Sequence, residues 1–280
     1  MKFVRLAVVS GAVLGLATSA AGAGDKERYT LWNPTPDALL RDMSTDRPDK
    51  TESPYTVDAG RIQIETDLVG YTYDSRDGVT TRALDVLPFN LKVGLTNSTD
   101  LQVAYGAYGR VRTSGGGVTD RETGFGDLTV RVKHNVWGND GGQTAFAIMP
   151  FVKLPTNTFS DLNDDVEGGI IVPLAIDLGS GVGLGLMTEV DILRAGEGRG
   201  YEPTFINSAA LGFDLTEKWG AYVEAFVERS AESGAETIVT LSGGFTYAVN
   251  NNLQLDAGAN VGVTEAADDL NVFVGLSRRY

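Results

Sequence analysis

Apolar and polar residues alternate almost without interruption from Arg61 to Tyr280, and no other feature of the chain restricts its fold as tightly. Alternation with period two puts successive side chains on opposite faces of a strand. Twelve such stretches follow one another, at about residues 61–73, 82–95, 100–111, 125–137, 144–154, 167–178, 182–193, 203–215, 219–229, 237–248, 253–263 and 270–280. Most have eleven to thirteen residues, more than an ordinary strand and enough for the roughly 9–11 that a tilted strand needs to cross a bilayer. One face is apolar in most of them, as in Leu101, Val103 and Tyr105 or Leu253, Leu255 and Ala257. The other face carries Gln102, Arg131, Lys133, Glu189, Asp191, Gln254 and Asp256.

The links between these stretches alternate in length. Residues 74–81, 112–124, 155–166, 194–202, 230–236 and 264–269 are longer and mostly acidic; 96–99, 138–143, 179–181, 216–218 and 249–252 are short, with turn chemistry. A sandwich has no reason to collect its short turns at one end, whereas an outer-membrane barrel keeps short turns in the periplasm and long loops outside. Leu270, Val272, Val274 and Leu276 alternate with Asn271, Phe273, Gly275 and Ser277 in the last stretch, which stops on Tyr280. Pairing it with the first stretch abolishes both sheet edges. The expectation is an all-β, closed, antiparallel up-and-down transmembrane barrel of about twelve strands over residues 60–280. Its last strand has the form that outer-membrane assembly machinery would receive. Trp137, Trp219, Tyr247 and Tyr280 fall near the short turns, and Tyr71, Tyr73, Tyr108 and Phe205 near the long links, as two interfacial belts would.

Residues 1–23 read as an export signal, with Lys2 and Arg5 before an apolar run and Ala21-Gly22-Ala23 as a cleavage site. Cleavage there leaves 21 basic against 37 acidic residues, so nucleic acid is excluded as a partner. The chain has no Cys, which removes disulfides, thiol nucleophiles and thiolate metal sites. Residues 24–59, with Pro34, Pro36, Pro48 and Pro54, show no sustained period. They suit an irregular periplasmic leader, a plug-like segment or a solvated tail, with a helical turn or two over 37–43.

Within that segment, Thr45-Asp46-Arg47-Pro48-Asp49 and Thr51-Glu52-Ser53-Pro54, followed by Val57 and Gly60, resemble the opening of the "MetA-pathway of phenol degradation" family. Gly126-Asp127 and Lys153-Leu154-Pro155-Thr156 are similar to later words of the same family. Lys50 stands where its pattern leads one to expect an apolar residue, and Asn157 where it tends to have Gly. The resemblance implies an outer-membrane barrel that takes up aromatic or other apolar compounds.

Candidates for chemistry are thin. His134, the only histidine, shares the outward phase of Leu128, Val130 and Val132, which suits interfacial anchoring rather than general-base work. Ser114-Gly115-Gly116-Gly117 lies in a link, not between a strand and a helix, so it is no phosphate cradle. Asp161, Asp164, Asp165 and Glu167 could hold Ca²⁺ or bridge to lipopolysaccharide through divalent cations, but they lack the spacing of a dedicated loop and read as solvated. No catalytic residue, resident metal or cofactor is expected.

The inward phase carries Glu65, Asp67, Asp85, Glu189, Asp191, Glu224 and Asp256 against Lys92, Arg131 and Lys133. Lined this way, twelve strands enclose a narrow aqueous lumen with a mild preference for cations, unless the acids pair with Arg131 and Lys133. Pro150 and Pro173 fall near mid-strand, at similar height in neighbouring strands, where each removes a ladder donor; the simplest meaning is local bulging, and a lateral weak point for an apolar ligand is the alternative. The functional expectation is a channel passing small, aromatic or apolar solutes. A barrel-borne lipid-modifying enzyme, a surface-interaction barrel with acidic loops and a soluble lipocalin-like barrel are the alternatives.

Overall fold

The computed structural model describes residues 23–159, 165–195 and 200–280, so the expected export signal lies outside the described residues but for Ala23. Fifteen strands run in chain order: β1 Ile62–Arg76, β2 Val79–Val86, β3 Phe89–Thr96, β4 Thr99–Tyr105, β5 Tyr108–Gly115, β6 Val118–Gly124, β7 Leu128–Trp137, β8 Thr144–Leu154, β9 Glu167–Gly179, β10 Val182–Arg194, β11 Tyr201–Asp214, β12 Trp219–Ser230, β13 Thr237–Asn250, β14 Leu253–Gly262 and β15 Leu270–Arg279. Every neighbouring pair is antiparallel. The ring β1-β3-β4-β7 through β15 closes on itself, with Gln63 opposite Arg279 and Tyr73 opposite Leu270. It is a closed twelve-stranded barrel.

The three additional strands, β2, β5 and β6, form a flap that continues from the upper half of β1. β2 and β5 come from breaks in the second and third of the expected strands, at Leu87-Pro88 and Gly106-Ala107, while β6 lies in the expected link 112–124 and is parted from β7 by Phe125 to Asp127. Pro88 cannot donate to a ladder, and the backbones of Gly106 and Gly126 approach so closely that Gly126 donates to the Gly106 carbonyl at 2.8 Å. Two of the expected long links are therefore corrected. Residues 74–81 and 112–124 are mostly strand, closed by two-residue turns at Asp77-Gly78 (φ 52° and 78°) and Gly116-Gly117 (φ 56° and 82°). Positive φ at both central positions is what a type I′ hairpin requires.

The wall is apolar on its outer side. Val223, Leu241 and Phe245 are 53%, 54% and 56% exposed at outward positions, a pattern suited to hydrocarbon surroundings rather than water. Trp137 stacks on Phe146 with centroids 4.6 Å apart, and Trp219 meets Tyr247 at 4.8 Å, both near the short turns. At the opposite end Tyr71, Tyr108 and Phe205 are likewise exposed.

Residues 26–42 lie across the short-turn end; 3-10 turns cover Ala23–Arg28 and Asp37–Leu39, the latter where a helical turn or two were expected over 37–43. Residues 43–59 then rise into the barrel, where Thr45, Asp46, Arg47, Asp49, Thr51, Glu52 and Ser53 are all buried. The chain re-emerges at Gly60 and enters β1.

Candidate functional site

An extended segment inside a barrel leaves its backbone without a ladder, so the wall must supply the partners. It does so along the whole rise. Gln63 Nε2 donates to the Ser44 carbonyl (2.7 Å), the Asp46 amide to Glu65 (3.0 Å) and the Lys50 amide to Glu224 (2.9 Å). Further on, Asn135 Nδ2 donates to the Pro54 carbonyl (3.0 Å) and the Val57 amide to Asp100 (3.0 Å).

Charge pairing follows the same route. Asp46 binds Lys133 at 2.7 Å and also contacts Lys92, which in turn reaches Glu65. Arg47 spans Asp67 and Asp256, each at 2.6 Å, and its ring neighbour is Phe273. Glu52 accepts from Arg131 at 2.7 Å, while the Thr51 hydroxyl donates to Glu224 at 2.7 Å. A Cβ on Gly275 would lie 2.2 Å from Arg47 Nη2, so only glycine lets that guanidinium lie against the wall.

These contacts decide the state of the expected pore-facing residues. Glu65, Lys92, Lys133, Glu224 and Asp256 are buried against the segment, and Arg131 is bonded to it. Asp67 shares Arg47, with Asp85 beside it; Glu189 and Asp191 lie higher on β10. Wall and segment are complementary: wall cations meet Asp46 and Glu52, and wall acids meet Arg47 and amides. Pairing across to residues 46–52 adds to the expected partial pairing of wall acids with these cations, since Glu189 also acts on Arg131 and Asp100 on Lys133. The narrow aqueous lumen is corrected, because residues 43–59 occupy its middle. Burial would push the Arg47 guanidinium down, yet Asp256 and Asp67 outweigh it and hold it above its ordinary range. At Lys50 burial wins over the nearby Glu224, Glu228 and Asp268, and the ammonium sits below the usual lysine range.

Space remains on both sides of the segment. A cavity of about 550 Å³ opens toward the long-link end, with Lys50 and Glu52 on its floor and Ala266, Ala267 and Asp268 at its rim. One side of it is polar, built from Arg131, Glu189, Glu228, Thr240 and Asn260. The other is apolar: Ile171, Met187, Ile206 and Phe226 form one buried cluster with Met149, and Phe151 packs against it. Lys50 Nζ lies 4.3 Å from the Phe226 ring centroid, where the two sides meet. A second cavity of about 260 Å³ lies by the strand breaks, between Arg47, Asp67, Pro88, Tyr105 and Asp127, and Arg131 lines both. An interior grease patch departs from the expectation of charge inward and grease outward. Its signal was present in 144–154, where Ala145, Ala147, Met149 and Phe151 are apolar on the same strand as Phe146, Ile148 and Val152.

Pro150 and Pro173 need a correction too. Pro150 stands opposite Ile170, so Pro173 lies three positions along the ladder rather than at the same height. Pro173 is buried on the inner face, and Pro150 is exposed on the outer. The β7–β8 ladder skips from Arg131–Phe151 to His134–Ile148, and the β8–β9 ladder from Phe146–Leu174 to Met149–Ile171. The middle of β8 is consequently under-paired on both sides.

The remaining candidates are ordinary. His134 Nδ1 lies 2.9 Å from the Thr99 hydroxyl on the outer face. Ser114 to Gly117 forms the tight β5–β6 turn. Asp161 and Asp164 lie outside the described residues, while Asp165 pairs with Arg194 at 3.0 Å and Glu167 with Lys153. Among the described residues no group of acids and histidines is arranged to hold a metal. Gly126-Asp127 and the 153–156 stretch come together: Asp127 accepts from the Thr156 and Asn157 amides, each at 3.0 Å, and Thr156 Oγ1 accepts from the Leu128 amide at 2.8 Å.

No curated protein sequence matches the chain. Among solved structures, the NanC porin is 9% identical with a TM-score of 0.49, covering 78% of this chain and 98% of its own. The translocator domain of the autotransporter NalP from Neisseria meningitidis is 15% identical at 0.48, covering 79% and 88%. The KdgM porin is 10% identical at 0.42, covering 75% and 97%. Likenesses this remote carry nothing about a ligand. The profile of the family described as "Putative MetA-pathway of phenol degradation" matches residues 45–280, from the first buried residue of the Thr45–Pro54 stretch to the last residue of the closing strand, and the chain belongs to that family.

Proposed function

We propose that this protein is an outer-membrane channel for small solutes with an aromatic or apolar body and a polar edge, stoppered by residues 43–59. The observation that carries the reading is the 550 Å³ cavity, which has an apolar side at Ile171, Met187, Ile206 and Phe226 and ends on Lys50 and Glu52 of the segment. A phenol-sized solute buries its ring against that side and offers its hydroxyl to Glu189, Thr240 or Lys50. The outward apolar wall and the aromatic residues at both ends support the outer-membrane placement, with the long-link end facing outside. The channel reading also agrees with the family the chain belongs to.

Onward passage needs the segment to shift or the wall to open. The under-paired middle of β8 lies directly beside Met149 and Ile171, so an apolar solute leaving the cavity would meet the least hydrogen-bonded part of the wall. The test is solute flux into proteoliposomes. Phenol is expected to enter faster than a sugar of similar size, and removal of residues 45–56 to accelerate both. Equal rates for phenol and sugar in the intact chain, or no flux above protein-free liposomes, would overturn the reading.

A further inference from the structure

The flap separates charge between its two faces. Tyr73 on β1 stands opposite Arg82 on β2, Arg82 opposite Arg112 on β5, and Arg112 opposite Arg121 on β6. Three arginines thus lie side by side across neighbouring strands, and Arg110, two residues along β5, shares their face. The face is the outer one. Tyr73 pairs with Leu270, which belongs to the exposed row with Val272 and Val274, and Arg82 lies over the Tyr73 ring at 5.8 Å. The opposite face carries Asp74, Asp85, Asp120 and Glu122, and there Phe159 lies close to Gly109 and Gly124.

Like charges placed directly opposite each other on a sheet repel, and a random surface would mix its signs. Among the described residues none of the four arginines has a hydrogen bond or ion pair, and Arg112 Nε is buried without a partner. Neighbouring strands are about 4.8 Å apart and alternate residues about 7 Å, so the patch measures roughly 10 by 7 Å. It lies at the level of Tyr71, Tyr73 and Tyr108, where an interfacial belt marks the boundary between hydrocarbon and headgroups.

We propose that Arg82, Arg110, Arg112 and Arg121 form a binding site on the outer wall for the phosphate groups of lipopolysaccharide in the outer leaflet. Guanidinium groups donate bidentately to phosphate oxygens, and a row of them offers more than one phosphate a seat. The site rests on the outward orientation of the long-link end but not on what passes through the lumen. It also gives β6, whose far edge has no strand partner among the described residues, a lipid neighbour in place of another strand.

The test uses the full mature chain refolded in detergent and reads thermal unfolding and equilibrium binding. Diphosphorylated lipid A is expected to raise the melting temperature of the wild type. Dephosphorylated lipid A, phosphatidylethanolamine and inorganic phosphate at equal phosphorus concentration are expected to leave it unchanged. In the triple variant R82Q, R112Q and R121Q the lipid A dissociation constant should rise by about tenfold or more, since several charge-assisted bonds are lost. R229Q, which removes a lone outer arginine bonded only to Thr237 among the described residues, should bind as the wild type does. If the triple variant does not fold, R112Q alone is measured, and an unchanged constant overturns the proposal. Equal shifts with dephosphorylated lipid A or with inorganic phosphate overturn it as well. Solute flux is not part of the readout, so a failed channel reading leaves this result interpretable.

Discussion

Arg47 and Asp256 are separated by 209 positions in the chain and joined by two hydrogen bonds, Nε to Oδ2 at 3.2 Å and Nη2 to Oδ1 at 2.6 Å. The fork ties the N-terminal segment to β14, and the same guanidinium reaches β1 through Asp67 at 2.6 Å. Two carboxylates therefore depend on one cation. Arg47→Leu leaves both without it in a buried setting, a change that costs about 3–5 kcal/mol. The expected outcome is a folded barrel with a loosened segment, read as a conductance increase of about tenfold or more in planar bilayers. Arg47→Lys keeps the charge but loses the fork, and should fall between.

Removing residues 45–56 exposes the wall they cover. Glu65, Asp67, Asp85, Glu189, Asp191, Glu224 and Asp256 would then face water against Lys92, Arg131 and Lys133. The truncated barrel is expected to be clearly cation-selective, with a reversal potential in a KCl gradient on the cation side. A more anion-selective truncated barrel would show that the wall's acids do not govern permeation.

The Phe226 ring is a wall of the larger cavity and the seat of the Lys50 ammonium. Phe226→Ala is expected to lower the apparent affinity for phenol by about three- to tenfold, the loss of one aromatic contact of about 0.5–1.5 kcal/mol. Sugar flux should be nearly unchanged. Competition flux assays on the same liposome preparation give both values.

Asp140, in the turn between β7 and β8, anchors the strip across the short-turn end. It accepts from Lys26 at 2.9 Å, Arg41 at 3.2 Å and Asn97 at 2.7 Å. Burial pushes its carboxyl up, but the bonds from Asn97 and Lys26 and the charges of Arg41 and Lys26 together outweigh that and hold it below the ordinary value. A depressed carboxyl means that the folded chain binds fewer protons than the unfolded one. Its stabilisation is complete above the unfolded pKa of about 3.9 and disappears as pH falls through the lower folded value. Limited proteolysis within residues 26–42 should therefore accelerate below about pH 4. Asp140→Asn should show faster cleavage already at neutral pH and a weaker acid dependence.

The barrel was legible because its signals are local. Alternation and link length are properties of short windows, and both follow from strands that face lipid on one side. The breaks were less legible, since Gly106 and Gly126 interrupt their strands by approaching each other, which neither window contains. The plug was the hardest part. Thr45 to Pro54 shows no period because its partners are Lys92, Lys133, Glu224 and Asp256, on strands that become neighbours only after the ring has closed. The apolar side of the cavity was readable in 144–154 but conflicted with a simple rule of polar interiors.

Gly60 and Arg61 are the whole length of chain between the buried segment and β1. A stopper that slips from its seat thus remains leashed to the rim it came from. Resealing becomes a first-order event at a high local concentration, set by the tether and not by anything in the periplasm. Such a channel would flicker rather than stay open, and its leak would be limited by the leash.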